Sequence, residues 1–462
     1  MMGPLHEVRP RYHGGSLSDV LPSALAVLGV SAAAAPATRA GRPGPLDPLA
    51  LADPLGLTGP LAGVRRIAVL LVDGLGWHQL PVAAPYAPTL ADLAVRFGRP
   101  LTSGFPSTTP TSLVSFGTGA APGVHGVLGF RVNVPGTDRL LTHIDWPGSP
   151  AAGPGFPGGG PASPVGGHRP GGSWPTTDVP AAPDRPPGAV PGPADRPPGE
   201  PPGPSGTVPA GDPEPRHWQP LPTQLERARA AGVAVTVVSR PEFATSGLSL
   251  AAYGDVGHRG AAEADTLVRE MLAALTSGDG PTLVYGYHPD VDRHGHLGGV
   301  GSADWCAAVA VVDAMVDRLV AGLPSDAALL VTADHGQLDI PPEARFDLDT
   351  DPRLRAGVRV VAGEARVRYL HTVPGATADV LATWSEVLGT AARVVTRDEL
   401  VAAGWFGPVP EAHLRRIGDV AAVCLGTSAV VASVESPIEA GLVALHGSST
   451  STEMTIPLLV VR

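Results

Sequence analysis

Lysine is absent from this sequence, and all 32 basic residues are Arg. Against 43 acidic residues they leave a net charge of −11. A chain this acidic offers no broad cationic face, which excludes general binding to nucleic-acid duplexes. Cysteine is almost as scarce. Cys306 and Cys424 stand far apart, without CxxC spacing and in apolar surroundings. A disulfide framework is therefore excluded, and both read as small core residues. No run is long and apolar enough to span a membrane. Residues 21–35 resemble a secretory h-region, but Pro22 interrupts them and Asp19 precedes them. They are read instead as an amphipathic helix capped at Ser16 or Ser18, and the chain is expected in the cytoplasm.

What the chain has in excess is Gly (59) and Pro (53), unevenly spread. Residues 147–215 are dominated by Pro, Gly, Ala and Asp, with Asp-Arg-Pro-Pro-Gly occurring at Asp184 and again at Asp195. Too few aliphatic side chains remain there to form a core, so the segment is expected to be disordered or polyproline-like. It is read as a tolerated surface insertion in preference to a partner-binding arm.

On either side of it the chain alternates between apolar runs and helical periodicity. Residues 1–65 form an approach segment with one helix. Residues 66–72, 233–238, 282–287 and 328–332 read as fully buried strands of a parallel sheet. Helices are expected directly after residues 73–76 and near 89–97, 223–231, 260–275 and 302–323. This pattern predicts an α/β fold with a doubly wound, mostly parallel sheet, its main domain built from 66–146 and 216–354. Residues 355–425 alternate with period two around a helix at 377–388 and predict a small α+β cap. Residues 426–462 return to the main domain, with a last strand at 456–461.

Chemistry-bearing side chains cluster where these strands end. Asp73 follows the first strand, and an open α/β sheet places its ligands at that edge. Asp290, Asp292, His294 and His296 follow another, with Asp292/His296 and Asp290/His294 as competing i, i+4 pairs. Asp334 and His335 are adjacent after a third, and His446-Gly447 precedes the last strand. Mixed His and carboxylate donors suit Zn²⁺, with Mn²⁺ or Fe as alternatives. Between them, residues 104–119 crowd hydroxyls around a Pro-bounded turn. With Pro110 as the first helical residue, Thr109 is expected at the N-cap, facing free N–H groups and the positive dipole end. That is a seat for an oxygen nucleophile attacking a phosphorus or sulfur ester. Each feature alone has an ordinary structural reading, as a cap, a turn or a solvated loop. Together they place six ligand candidates and one hydroxyl at sheet edges.

With these motifs in this order, the chain resembles the alkaline phosphatase superfamily, in its type I phosphodiesterase/nucleotide pyrophosphatase branch. The resemblance runs from about residue 64 onward, outside the Pro-rich insertion. It implies Thr109 as nucleophile, one metal held by Asp73, Asp334 and His335 with Thr109 completing its shell, and a second held by Asp292, His296 and His446. It also implies a two-step hydrolysis of a small phosphoester through a phosphothreonine. The pattern departs from the family at two places. Phe130, followed by Arg131, stands where nucleotide pyrophosphatases carry a phosphate-binding Asn, and Pro110-Thr111-Ser112 replaces Pro-Asn-His. The alternatives are phosphonate or phosphomonoester hydrolysis on the same site, or a non-catalytic scaffold with a Pro-rich arm. Sulfate-ester chemistry needs a Cys or Ser where Thr109 stands.

Overall fold

A computed structural model describes residues 5–30, 53–146 and 212–462. The expected insertion at 147–215 lies almost wholly outside the described residues. Seven strands form the main sheet: β1 (Arg66–Val72), β2 (Gly98–Thr102), β3 (Ala234–Ser239), β4 (Gly257–Gly260), β5 (Thr282–His288), β6 (Ala327–Thr332) and β7 (Thr455–Val461). Their order across the sheet is β2-β7-β6-β1-β5-β3-β4. All run parallel except β7, which lies antiparallel between β6 and β2.

The apolar content of β1 dictates its central place. Its residues Ile67 to Val72 are all buried, because helices cover both faces of a parallel sheet. β5 and β6 flank it in register, so Val72 sits beside His288, and Leu71 pairs with both Tyr287 and Thr332. The C-terminal ends of three adjacent strands thus coincide. Asp73, helix Asp290–Gly298 and the Asp334-His335 turn all leave the sheet at that edge.

A second, antiparallel sheet of four strands follows, in the order Val358–Glu364, Val367–Thr372, Val420–Cys424, Ala392–Thr396. Helix Thr377–Leu388 packs on it through Val380, Trp384 and Leu388.

Four local expectations are corrected. The helix after the hydroxyl-rich turn spans Thr109–Thr118, with Thr108 as N-cap and Thr109 as first helical residue. The Ser112 N–H donates to the Thr108 carbonyl at 2.9 Å, which fixes that start. Pro110 is tolerated one place further in because N2 also lacks an intrahelical acceptor. The segment after Ser16 is a 3₁₀ turn, Leu17–Asp19, and a short helix, Val20–Val27, buried at Val20, Leu21, Ala24 and Leu25. Residues 257–260 are an edge strand, not the start of a helix, and the helix begins at Ala264. Pairing with β3 overrides their weak strand propensity. After Asp73 there is only a 3₁₀ turn, Trp77–Gln79, and one helical turn, Leu80–Ala83.

Candidate active site

Two groups of three ligand-type side chains form at this edge: Asp73, Asp334 and His335, and Asp292, His296 and His446. Within each, the donor atoms lie within 4.8 Å of one another. In the first group His335 Nε2 is 3.5 Å from Asp73 Oδ1 and 3.4 Å from Asp334 Oδ2. In the second, His296 Nε2 is 3.1 Å from Asp292 Oδ2, and His446 Nε2 is 3.8 Å from Asp292 Oδ1. The groups adjoin, since the His335 and His446 rings stack with centroids 3.7 Å apart. Of the two competing i, i+4 pairs, Asp292/His296 therefore joins the site. Asp290/His294 projects about 200° away around the same helix.

The histidines are aimed by backbone. His335 Nδ1 faces the Gly336 carbonyl, His296 Nδ1 the Ala444 carbonyl at 2.7 Å, and His446 Nδ1 the Ser107 carbonyl at 2.9 Å. A carbonyl can only accept, so each Nδ1 carries the proton and each Nε2 lone pair points into the site. Metal-binding imidazoles are commonly held in this way. Motif glycines admit the close approach. Gly74 has φ +72°, and a Cβ there would lie 2.8 Å from Asp292 Cα. A Cβ on Gly295 would lie 1.9 Å from Gln337 Oε1.

The electrostatics of the two groups differ. Burial, with Asp334 and Asp292 nearby, pushes the Asp73 carboxyl well above its usual range. Burial likewise raises Asp334, despite His335 beside it. Burial also opposes ionisation of Asp292, but His296, His446 and His335 hold it below the ordinary carboxylate range. Asp73 Oδ1 and Asp334 Oδ2 are buried without a hydrogen-bond partner among the described residues. Buried carboxylate oxygens left in this state fit a cation, and the donor set suits a divalent ion.

Thr109 stands beside the first group. Its Oγ1 is 3.1 Å from His335 Nε2, and the residue is buried at the first turn of its helix. Ser107 ties that turn to the His446 loop, donating from N–H to the Gly447 carbonyl and from Oγ to the Ser448 carbonyl. Phe130 and Arg131 lie on another segment. The Phe130 carbonyl accepts from His143 N–H, and Arg131 Nη2 reaches Ser436 Oγ at 3.3 Å.

Three neighbours escaped the sequence reading. Tyr287 donates its hydroxyl to Asp73 Oδ2. Gln337 Nε2 donates to Asp292 Oδ1 at 3.2 Å. Glu364, from the antiparallel sheet, lies against Gly447, and burial pushes its carboxyl up to about 8. Tyr287 was detectable as the residue beside β1's end in a parallel register. Gln337 and Glu364 carried no signal, because only tertiary packing brings them in.

Among solved structures, murine ectonucleotide pyrophosphatase / phosphodiesterase 5 superposes with a TM-score of 0.57 at 14% identity, over 85% of this chain and 87% of that one. The human protein gives 0.53 at 13%, over 86% and 87%. Phosphonoacetate hydrolase from Sinorhizobium meliloti 1021, in complex with phosphonoformate, gives 0.55 at 16%, over 86% and 90%. At these identities the likeness is one of fold. No curated protein sequence matches. The sequence profile described as type I phosphodiesterase / nucleotide pyrophosphatase matches residues 67–449, a span that holds every ligand-type residue above, and the chain belongs to that family.

Proposed function

We propose that this chain is a phosphodiesterase that works through a phosphothreonine on Thr109, with one divalent ion held by Asp73, Asp334, His335 and Thr109 and a second by Asp292, His296 and His446. The observation that carries this reading is the Thr109 hydroxyl, buried at a helix start and 3.1 Å from His335 Nε2, where two ligand groups meet. Two bound cations, zinc by the donor set or else manganese or iron, would lower the pKa of that hydroxyl and stabilise charge on the phosphoryl oxygens.

The chain's own residues supply the rest. Thr109 Oγ forms the bond to phosphorus as the P–O bond to the leaving alcohol breaks. Free N–H groups at the helix start orient the non-bridging oxygens. The backbone carbonyls of Gly336, Ala444 and Ser107 keep the three histidine protons on Nδ1, away from the reacting atoms. Water then attacks the phosphothreonine in line and frees Thr109.

Phosphonate hydrolysis is the second reading. The family resemblance sets Phe130 where nucleotide pyrophosphatases carry a phosphate-binding Asn, and a phosphonoacetate hydrolase is among the similar folds. One experiment tests both. Wild type and Thr109→Ala are assayed with an activated aryl phosphodiester and with a phosphonate, and quenched wild type is examined by mass spectrometry. Thr109→Ala should lose more than about a thousandfold in kcat while keeping its fold and metal content. Quenched wild type should carry one phosphoryl group on the Thr109 peptide. Full activity in Thr109→Ala would overturn the nucleophile. Turnover of the phosphonate alone would select the second reading.

A further inference from the structure

The helix Asp290–Gly298 carries two His/Asp faces, and only one is used above. On the other side, His288, Asp290, His294 and Asp304 line a cleft of about 220 Å³, with Ala307, Ala308 and Val311 as its apolar wall. His288 is the last residue of β5. Its neighbour Tyr287 points to Asp73, so alternation along the strand sends His288 to the opposite face. His288 is only 6% exposed, and its Nε2 has no hydrogen-bond partner among the described residues.

An imidazole nitrogen placed in this way at a cleft is available to a ligand. The carboxylate facing it is already oriented. Arg240 Nη2 holds Asp290 Oδ1 at 2.5 Å, which leaves Oδ2 turned toward His288 Nε2 at 3.8 Å. That is the distance separating His446 Nε2 from Asp292 Oδ1 in the candidate active site. Donor atoms about 2.0–2.2 Å from a tetrahedral zinc lie only a few tenths of an ångström closer to each other. His294, half-buried, and Asp304, exposed, line the same cleft, and among the described residues neither yet brings a donor within 4.8 Å of both His288 and Asp290.

We propose that His288, Asp290, His294 and Asp304 bind a further divalent transition-metal ion, on the face of the helix turned away from Asp292 and His296. Two imidazoles and two carboxylates around an open cleft suit zinc-class ions and do not suit an anion. Such an ion would pin the first turn of the helix to the end of β5 and to helix Ala303–Ala321. It would thereby brace the element that presents Asp292 and His296.

The test is equilibrium dialysis of the untagged full chain against graded zinc chloride at neutral pH, with bound zinc counted by atomic emission. Wild type is compared with the His294→Ala/Asp304→Asn double variant, both positions lining the cleft, and with His288→Gln. Wild type should bind one more equivalent than either variant, or bind its weakest equivalent at least about tenfold more tightly. The comparison is a difference between proteins, so it holds whatever number of ions the candidate active site retains. Equal zinc binding by wild type and the double variant up to millimolar zinc would overturn the site. If His288→Gln fails to fold, the double variant alone decides.

Discussion

The two ligand groups share a site but not a character. Asp73, Asp334 and His335 are at most 4% exposed. They carry two carboxylates that burial makes costly to ionise. Asp292 and His296 are each 13% exposed in their side chains and, with His446, pair one carboxylate with two imidazoles that already favour its charge. On the proposed reading the inner group depends on its cation for electrostatic balance and holds it tightly. The outer group is nearly balanced without one and exchanges its ion readily. The difference comes from where each ligand originates. Inner ligands are rooted in adjacent β-strand ends, whereas outer ones come from a helix and a late loop.

The sharpest way to break this contrast is Asp334→Asn. It removes one of two inner carboxylates and should cost more than about a thousandfold in activity, with loss of the inner ion in metal analysis. Retention of both ions would show that the inner group does not depend on Asp334. His446→Ala should strip the outer ion alone and reduce kcat/KM by at least about a hundredfold. Loss of both ions, or of neither, would refute the division of ligands. Tyr287→Phe keeps every ligand and removes only the hydroxyl that orients Asp73. We expect a roughly tenfold fall in affinity for the inner ion and none for the outer. Equal weakening of both would mean that the groups are not separable.

The smallest effect concerns a buried histidine outside either group. His143 donates from Nδ1 to the Gly129 carbonyl and packs edge-on to Trp146. Burial depresses its pKa to about 4. Between that value and the ordinary 6.5, the unfolded chain binds the extra proton and the folded chain does not. Stability from this residue is therefore present above about pH 6.5 and lost as pH falls toward 4. The loss is on the order of 2–3 kcal/mol. Denaturant melts across that range should show a shallower pH slope for His143→Gln than for wild type. Parallel slopes would remove His143 from the acid response.

How much of this was legible follows from the physics of each signal. Buried strands announce themselves as apolar runs, so β1, β5 and β6 were placed within a residue, and the ligands at their ends came with them. Helix Thr377–Leu388 was read to the residue from its periodicity. The strand Ala392–Thr396 and helix Arg397–Ala402 were missed, since their half-buried surfaces carry a weak pattern. Thr108 and Thr109 could not be ordered as cap and first residue, because Pro is tolerated at either of the next two places. Gln337 and Glu364 have neighbours that no local pattern encodes.

Among the described residues β2 is an edge strand whose only neighbour in the main sheet is β7, and the hydroxyl-rich turn with Thr109 follows β2 directly. β7 is translated after every other described element. His446, just ahead of β7, is equally late. In the folded protein the last strand thus helps seat both parts of the site, pairing with β2 ahead of the proposed nucleophile's turn and following directly on the loop that carries His446.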